Sequence, residues 1–158
     1  MALNSGSSKS VLLCRSGQQL YALPLASVRE TMRALPAEPV PAMPDCLLGV
    51  SLIRGAAVPV VDGRRLVGAA ASESAPASRY VSLVLGERQV ALAVDAVLGV
   101  RRLDAAMLAE VAPLLDGAET GMVQAISILD AELLMVLQAS CLVPEALWDV
   151  LAQREGAA

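Results

Sequence analysis

Apolar residues along this chain come in short bursts cut by turn formers, not in long helical or membrane-length runs. Residues 11–15 form one burst, which stops at Ser16-Gly17-Gln18 and resumes over 20–24. Two such runs around a glycine-containing turn predict a β-hairpin. Pro24 has no N–H for a ladder and therefore belongs at a strand end. A single helical turn over 26–29 and a strand over 30–35 follow. Prolines 36, 39, 41 and 44 then exclude both a helix interior and a sheet centre, leaving an extended loop. Residues 47–53 and 56–61 predict another hairpin around Arg54-Gly55, with a short helix over 63–67. The Ala-, Ser- and Gly-rich stretch 68–78 reads as a linker or loop.

The same grammar returns beyond it. Residues 80–85 and 89–94 flank Gly86-Glu87-Arg88, a strand is expected over 97–103, and Asp104 is placed to cap a short helix running through Glu110. A further hairpin, 121–129 with 132–138, turns at Asp130-Ala131. Pro144, then Leu147, Trp148 and Leu151 at helical spacing, predict a C-terminal helix over 144–153, with Trp148 pinning it to the body. Many short strands at regular spacing imply an all-β sandwich or barrel. Gly17-Gln18-Gln19-Leu20-Tyr21-Ala22-Leu23 is echoed by Gly86-Glu87-Arg88-Gln89-Val90-Ala91-Leu92, and Val58-Pro59-Val60-Val61 by Leu134-Met135-Val136-Leu137. An offset of roughly seventy residues exceeds solenoid periods and suggests two related barrels.

Composition narrows the chemistry. The chain has 158 residues, 56% of them apolar, so a sizeable core is available; with no Phe, one Trp and two Tyr, that core must be aliphatic. Met107, Met122 and Met135 fit either gap filling or an adaptable surface. A net charge of −4 and basic pairs without aromatic neighbours (Arg64-Arg65 and Arg101-Arg102) argue against nucleic acid. The first ten residues lack the order of a signal peptide and read as a disordered tail, and no apolar run is long enough for direct membrane insertion. Three distant cysteines, Cys14, Cys46 and Cys141, suit a reducing, cytoplasmic compartment better than a disulfide framework or a metal site.

No catalytic or cofactor site is expected. The absence of histidine removes the commonest general base and metal ligand. The glycines of 63–68 have phosphate-loop spacing, but Ala69 and Ala70 stand where Lys and Ser or Thr are needed. Gly49-Val50-Ser51 begins like a nucleophile elbow, yet Ile53 replaces the second glycine. Asp62, Asp95, Asp116, Glu119, Asp130 and Glu132 lie at expected turns, where acids cap or are solvated. They leave a small carboxylate-dependent hydrolase only as a remote alternative.

The segment Gly49-Val50-Ser51-Leu52-Ile53-Arg54-Gly55-Ala56-Ala57-Val58-Pro59-Val60-Val61-Asp62 resembles the hallmark of the CheW-like family of chemotaxis adaptors. The stretch from Tyr21 to Glu30 is similar to that family's first barrel hairpin with its Val-x-Glu segment, and Val90 to Val97 to its strand ending in Val-Asp-x-Val. The resemblance implies two five-stranded SH3-like β-barrel subdomains sharing a hydrophobic core, with a C-terminal helix. On that basis residues 11–153 form one CheW-like domain. The first barrel covers about 20–78 and the second about 79–138, terminal strands and helix crossing over, and 154–158 form a tail. It implies no enzymatic activity. The partners it implies are a CheA-type histidine kinase regulatory domain, a chemoreceptor cytoplasmic tip and other CheW-like proteins in arrays. A divergent module tethering a kinase without receptor binding, in surface motility for example, is the alternative.

The receptor groove implied by the resemblance draws on Val28, Glu30, Gly49, Leu52 and Arg54, with Val97 and Val100 on its other side. Gly55, Pro59, Asp62 and Asp95 are structural. Read as residues alone, Arg54 either reaches a partner or pairs internally with Asp62 or Glu30. Pro59 places its strand at an edge or a bulge. Leu52 stands where the family usually has Asn, and Arg64-Arg65 gathers more charge than the family pattern.

Overall fold

The computed structural model describes residues 8–41, 47–66, 78–104, 109–110, 123–129, 132–137, 143 and 148–149. The expected linker 68–78 (all but Ser78), Met107, Met122, Cys46, Cys141 and most of the C-terminal helix lie outside them.

Eleven strands are described: β1 Ser8–Ser16, β2 Gln19–Pro24, β3 Val28–Arg33, β4 Leu47–Ile53, β5 Ala56–Asp62, β6 Arg79–Leu85, β7 Arg88–Val94, β8 Ala96–Asp104, β9 Ala109–Glu110, β10 Val123–Leu129 and β11 Glu132–Leu137. A 3-10 turn, Leu25–Ser27, precedes β3, and one short helix, α1 (Gly63–Leu66), follows β5. The strands form a six-stranded sheet, β8-β1-β2-β11-β10-β9, and a five-stranded sheet, β3-β6-β7-β5-β4. The all-β expectation stands.

Turn chemistry explains the hairpins. Ser16 pairs with Gln19 and Leu85 with Arg88, so each loop has two residues, with Gly17 at φ 60° and Gly86 at φ 67° in the first place. Glycine first, with an ordinary residue second, is the II′ arrangement that matches strand twist. The echo between the two halves is therefore structural: both copies build the same hairpin.

The sheets do not follow the division expected near residue 78. Hairpin β1–β2 joins β8 to β11, while hairpin β6–β7 joins β3 to β5. Each half thus lends its hairpin to the other, and each hairpin is held by a parallel pairing: β2 with β11 and β7 with β5. Residues 8–10, expected to belong to a tail, are instead part of β1: Ser8, Lys9 and Ser10 pair with Asp104, Leu103 and Arg102. Asp104 ends β8 and starts no described helix; Ala109 and Glu110 pair with β10. Residues 105–108, over which the rest of that helix is expected, lie outside the described residues.

Burial explains why the hairpins read as continuous apolar runs. Leu12, Cys14, Tyr21 and Leu23 from one sheet meet Val61, Val81, Leu83, Val90, Leu92 and Val94 from the other in one shared cluster. The alternate residues Val11, Leu13, Leu20 and Ala22 pack on the opposite face with Leu103 and Val136. In the second sheet Ile53, Val58, Val60, Tyr80, Ala91 and Ala93 do the same. Strands buried on both faces lose the polar–apolar alternation of half-exposed ones. β4, by contrast, alternates buried and exposed positions along its length.

Pro59 does not mark an edge strand; the bulge in its pairing with β4 falls just beyond it, between Leu47 and Gly49 opposite Val61 and Val60. Its strand β5 is internal, lying between β7 and β4. Val50, opposite Pro59, spends both its N–H and its C=O on Glu38 at 2.9 Å. The Val50–Pro59 pair is therefore a non-hydrogen-bonded one, and the missing N–H points away from β4. The parallel register with β7 begins only at Val60, so no ladder bond is lost.

Candidate functional site

The hairpin tip Arg54-Gly55 gathers most of the predicted partner residues. Ile53 and Ala56 close the turn, with Arg54 at φ 51° and Gly55 at φ 82°. Positive φ at both central residues is the I′ pattern, which glycine adopts freely. For arginine a left-handed conformation costs about 1–2 kcal/mol. Arg54 is the one non-glycine residue at positive φ among the described residues. Beside it Leu52 is 70% exposed, the most exposed of the large apolar side chains described.

Glu30 holds Arg54. Nε donates to Oε2 at 2.6 Å and one terminal nitrogen, Nη2, donates to Oε1 at 2.8 Å, a two-point fork. Those bonds, helped by the guanidinium charge and by Arg29, draw the Glu30 carboxyl below its ordinary value and raise Arg54 reciprocally. Of the two internal partners open to Arg54, Glu30 is therefore the one it takes. The Arg54 side chain is 67% exposed, and Nη1 is uncommitted among the described residues.

β3 and β4 are opposite edges of one sheet, so this contact shows that the sheet curls until its edges approach. The segment after β3 continues the curl. Glu38 bridges to Val50 on β4, Tyr80 donates to the Leu35 carbonyl at 2.6 Å, and Ser51 donates to the Pro36 carbonyl at 2.8 Å. Gly49 is required there: at φ 139°, a Cβ would run into the Glu38 carbonyl. Gly49 is buried, so it shapes the tip from behind.

The remaining predicted residues divide. Val28 is half-buried and packs on the shared core. Val97 and Val100 lie on β8 in the other sheet; Val97 packs on the shared core, and Val100 is 57% exposed on that edge strand. Asp62 and Asp95 are committed to the fold. Asp62 accepts from the Arg64 N–H at 3.1 Å, capping α1, and Arg65 lies 3.6 Å away. Asp95 accepts from the Gly17 N–H at 2.6 Å and from Arg64 at 2.8 Å. The extra arginines after Asp62 are thus occupied by acids within the fold. That Arg64–Asp95 contact, between residues 31 apart, had no local signal. Gly63 has a packing reason: its Cβ would fall 2.6 Å from the Ala93 carbonyl and 2.6 Å from the Tyr21 hydroxyl.

Candidate chemistry elsewhere is muted. Cys14 is buried, and burial pushes its thiol up to about 12. Burial likewise raises Tyr21, whose hydroxyl shares a 2.6 Å bond with Ser16. No group of three or more His, Cys, Asp or Glu residues is arranged to hold a metal among the described residues. No described helix is long and apolar enough to cross a membrane.

Comparison with known proteins places this geometry in context. The CheW-like domain family matches residues 10–146. The chain is similar to the chemotaxis protein CheW of Rhizobium meliloti (strain 1021), 37% identical over 91 residues, covering 56% of this chain and 57% of that protein. It is 35% identical over 98 residues to a probable chemotaxis protein CheW of Rhizobium etli, covering 61% of each. It is 32% identical over 92 residues to protein FrzA of Myxococcus xanthus, covering 58% of each. These matches span less than two thirds of each relative's length. In structure the chain resembles the scaffolding protein TtCheW of Thermoanaerobacter tengcongensis, with a TM-score of 0.71 at 22% identity, covering 82% of this chain and 88% of that one.

Proposed function

The chain belongs to the CheW-like domain family, and on that premise we propose that it is a non-enzymatic adaptor coupling a methyl-accepting chemoreceptor to a CheA-type histidine kinase by binding both. The observation that carries this reading is the Arg54 fork. A cation held in a left-handed turn by Glu30, largely exposed and with one nitrogen uncommitted, is preorganised for a second acceptor. Preorganisation lowers the ordering cost of binding. The exposed Leu52 beside it supplies apolar contact. In this reading the protein works in the cytoplasm, is recruited to membrane-receptor arrays and neighbours other CheW-like proteins there. Val28, Val97 and Val100 extend the receptor surface.

Binding of the intact chain to the kinase regulatory domain and to a receptor cytoplasmic fragment tests the proposal. Arg54→Ala is expected to weaken receptor binding at least tenfold while kinase binding and the fold persist. A folded wild-type protein that binds neither partner ends the adaptor reading. An Arg54→Ala variant that binds the receptor unchanged removes Arg54 from it, and wild-type binding to the kinase alone selects the tether instead.

A further inference from the structure

The chain changes ladder partner over a short stretch after β3. The Ala34 N–H still bonds the Ser78 carbonyl at 3.1 Å, continuing the pairing with β6, whereas Glu38 already exchanges two 2.9 Å bonds with Val50 of β4. Between them Pro36 has no N–H for either ladder and keeps Leu35 extended. Two hydroxyls hold this crossing. Tyr80 of β6 donates to the Leu35 carbonyl at 2.6 Å, and Ser51 of β4 donates to the Pro36 carbonyl at 2.8 Å. Their oxygens lie 3.4 Å apart, and both residues are buried, at 3% and 1% exposure. The Arg54 fork closes the same seam between β3 and β4. All of these groups share one face. Met32, two residues from Glu30 and on its side of β3, pairs with Tyr80, and Ser51 opposes Val58, which clusters with Tyr80.

We propose that Tyr80 and Ser51 are positioning residues for the chemoreceptor contact: their hydroxyls set the gap between β3 and β4 across which Glu30 holds Arg54. The inference rests on the adaptor reading and names what orients its central side chain. The fork needs that gap held closely. A two-point bond at 2.6 and 2.8 Å admits little shift before one of its arms is lost. β3 and β4 are the two edges of their sheet and not ladder neighbours, so strand pairing does not fix their spacing. The crossing after β3 fixes it instead, tied to one edge through Tyr80 and to the other through Ser51. With the gap relaxed, Arg54 would lose its orienting partner, and the cost of ordering it would fall on receptor binding.

Y80F and S51A each remove a hydroxyl and keep the apolar packing, in which Met32, Ala34 and Ala37 rest on the cluster that holds the Tyr80 ring. The test is made on the full chain. It combines NMR titration of Glu30 with calorimetric titration against a receptor cytoplasmic fragment and, separately, the kinase regulatory domain. In Y80F/S51A the Glu30 titration is expected to move up toward the ordinary glutamate range. Receptor affinity is expected to fall about fivefold or more, with kinase affinity unchanged. Added to Arg54→Ala, the same two substitutions are expected to cost no further receptor affinity, because the group they orient is already gone. Should the double variant not fold, each single variant carries the same readouts at smaller amplitude. A Glu30 titration unchanged from wild type overturns the inference and leaves the adaptor function standing. An equal loss of receptor binding with and without Arg54, or an equal loss of kinase affinity, also overturns it, since either marks a general loosening of the sheet. A wild-type chain that binds neither partner ends the adaptor reading and this role with it.

Discussion

Removing the Asp95 side chain should loosen the molecule at the point where its two sheets are tied. In Asp95→Ala the Gly17 N–H loses its 2.6 Å acceptor and Arg64 loses its 2.8 Å partner. Gly17 turns the β1–β2 hairpin of one sheet, whereas Arg64 stands on α1, which continues from β5 of the other. A hydrogen bond to a charged group contributes about 1.5–3 kcal/mol. Breaking a fully buried ion pair costs about 3–5 kcal/mol. Here the side chains are 15% and 24% exposed, so solvent screens part of that second quantity. Together the loss comes to about 3 kcal/mol, a fall in Tm of roughly 6–12 °C for a domain of this size. Asp95→Asn keeps an acceptor for Gly17 but not the charge, and should lose about half as much. Urea denaturation of Asp95→Ala, Arg64→Gln and the double variant forms the cycle, with an expected coupling of about 1–2 kcal/mol. A loss below about 0.5 kcal/mol in Asp95→Ala, or no coupling, would show that the contacts do not tie the sheets.

Three further outcomes follow from other parts of the structure. Glu30 is depressed in the folded state, so its contribution to stability is present above the ordinary glutamate range and is lost as pH falls through the lower folded value; Arg54→Ala should bring its NMR titration back up toward that range. In a Cys46→Ser, Cys141→Ser background, Cys14 should resist a disulfide reagent at pH 8 and react only on unfolding, because burial holds its thiol at about 12. Leu52→Asn should leave stability within about 0.5 kcal/mol, since the side chain is 70% exposed, and alter receptor affinity instead; a large stability loss would mean that Leu52 is packed.

Much of the fold was legible because glycine turns punctuate it. Gly17, Gly55 and Gly86 each turn a hairpin where the sequence predicted one, and the repeat of Gly17–Leu23 in Gly86–Leu92 marks the equivalent hairpins. Partner choice was not legible. Nothing local to 19–24 says that β2 runs beside β11, because ladder partners are selected by packing across the whole chain. Pro59 misled for the same reason: a proline marks a missing N–H, and only the register reveals that this N–H had nothing to bond. At the site, Arg54 was found by motif and its turn by spacing. The partner took geometry: Glu30 lies 24 residues away on the opposite edge of a curled sheet, while the nearer Asp62 is occupied in capping α1.

The exchange of hairpins between halves has a consequence for how the chain comes into being. As residues leave the ribosome, β1 and β2 emerge with their exposed edges waiting for β8 and β11, which arrive about eighty and more residues later. During that interval apolar faces are uncovered, and topologies rich in such distant pairings close slowly. Severed anywhere between β5 and β6, neither fragment would hold a complete sheet, yet each would carry the strands that the other lacks. Co-expressed fragments should reassemble like the two shells of a hinge joint, and either one alone should be cleared by proteases.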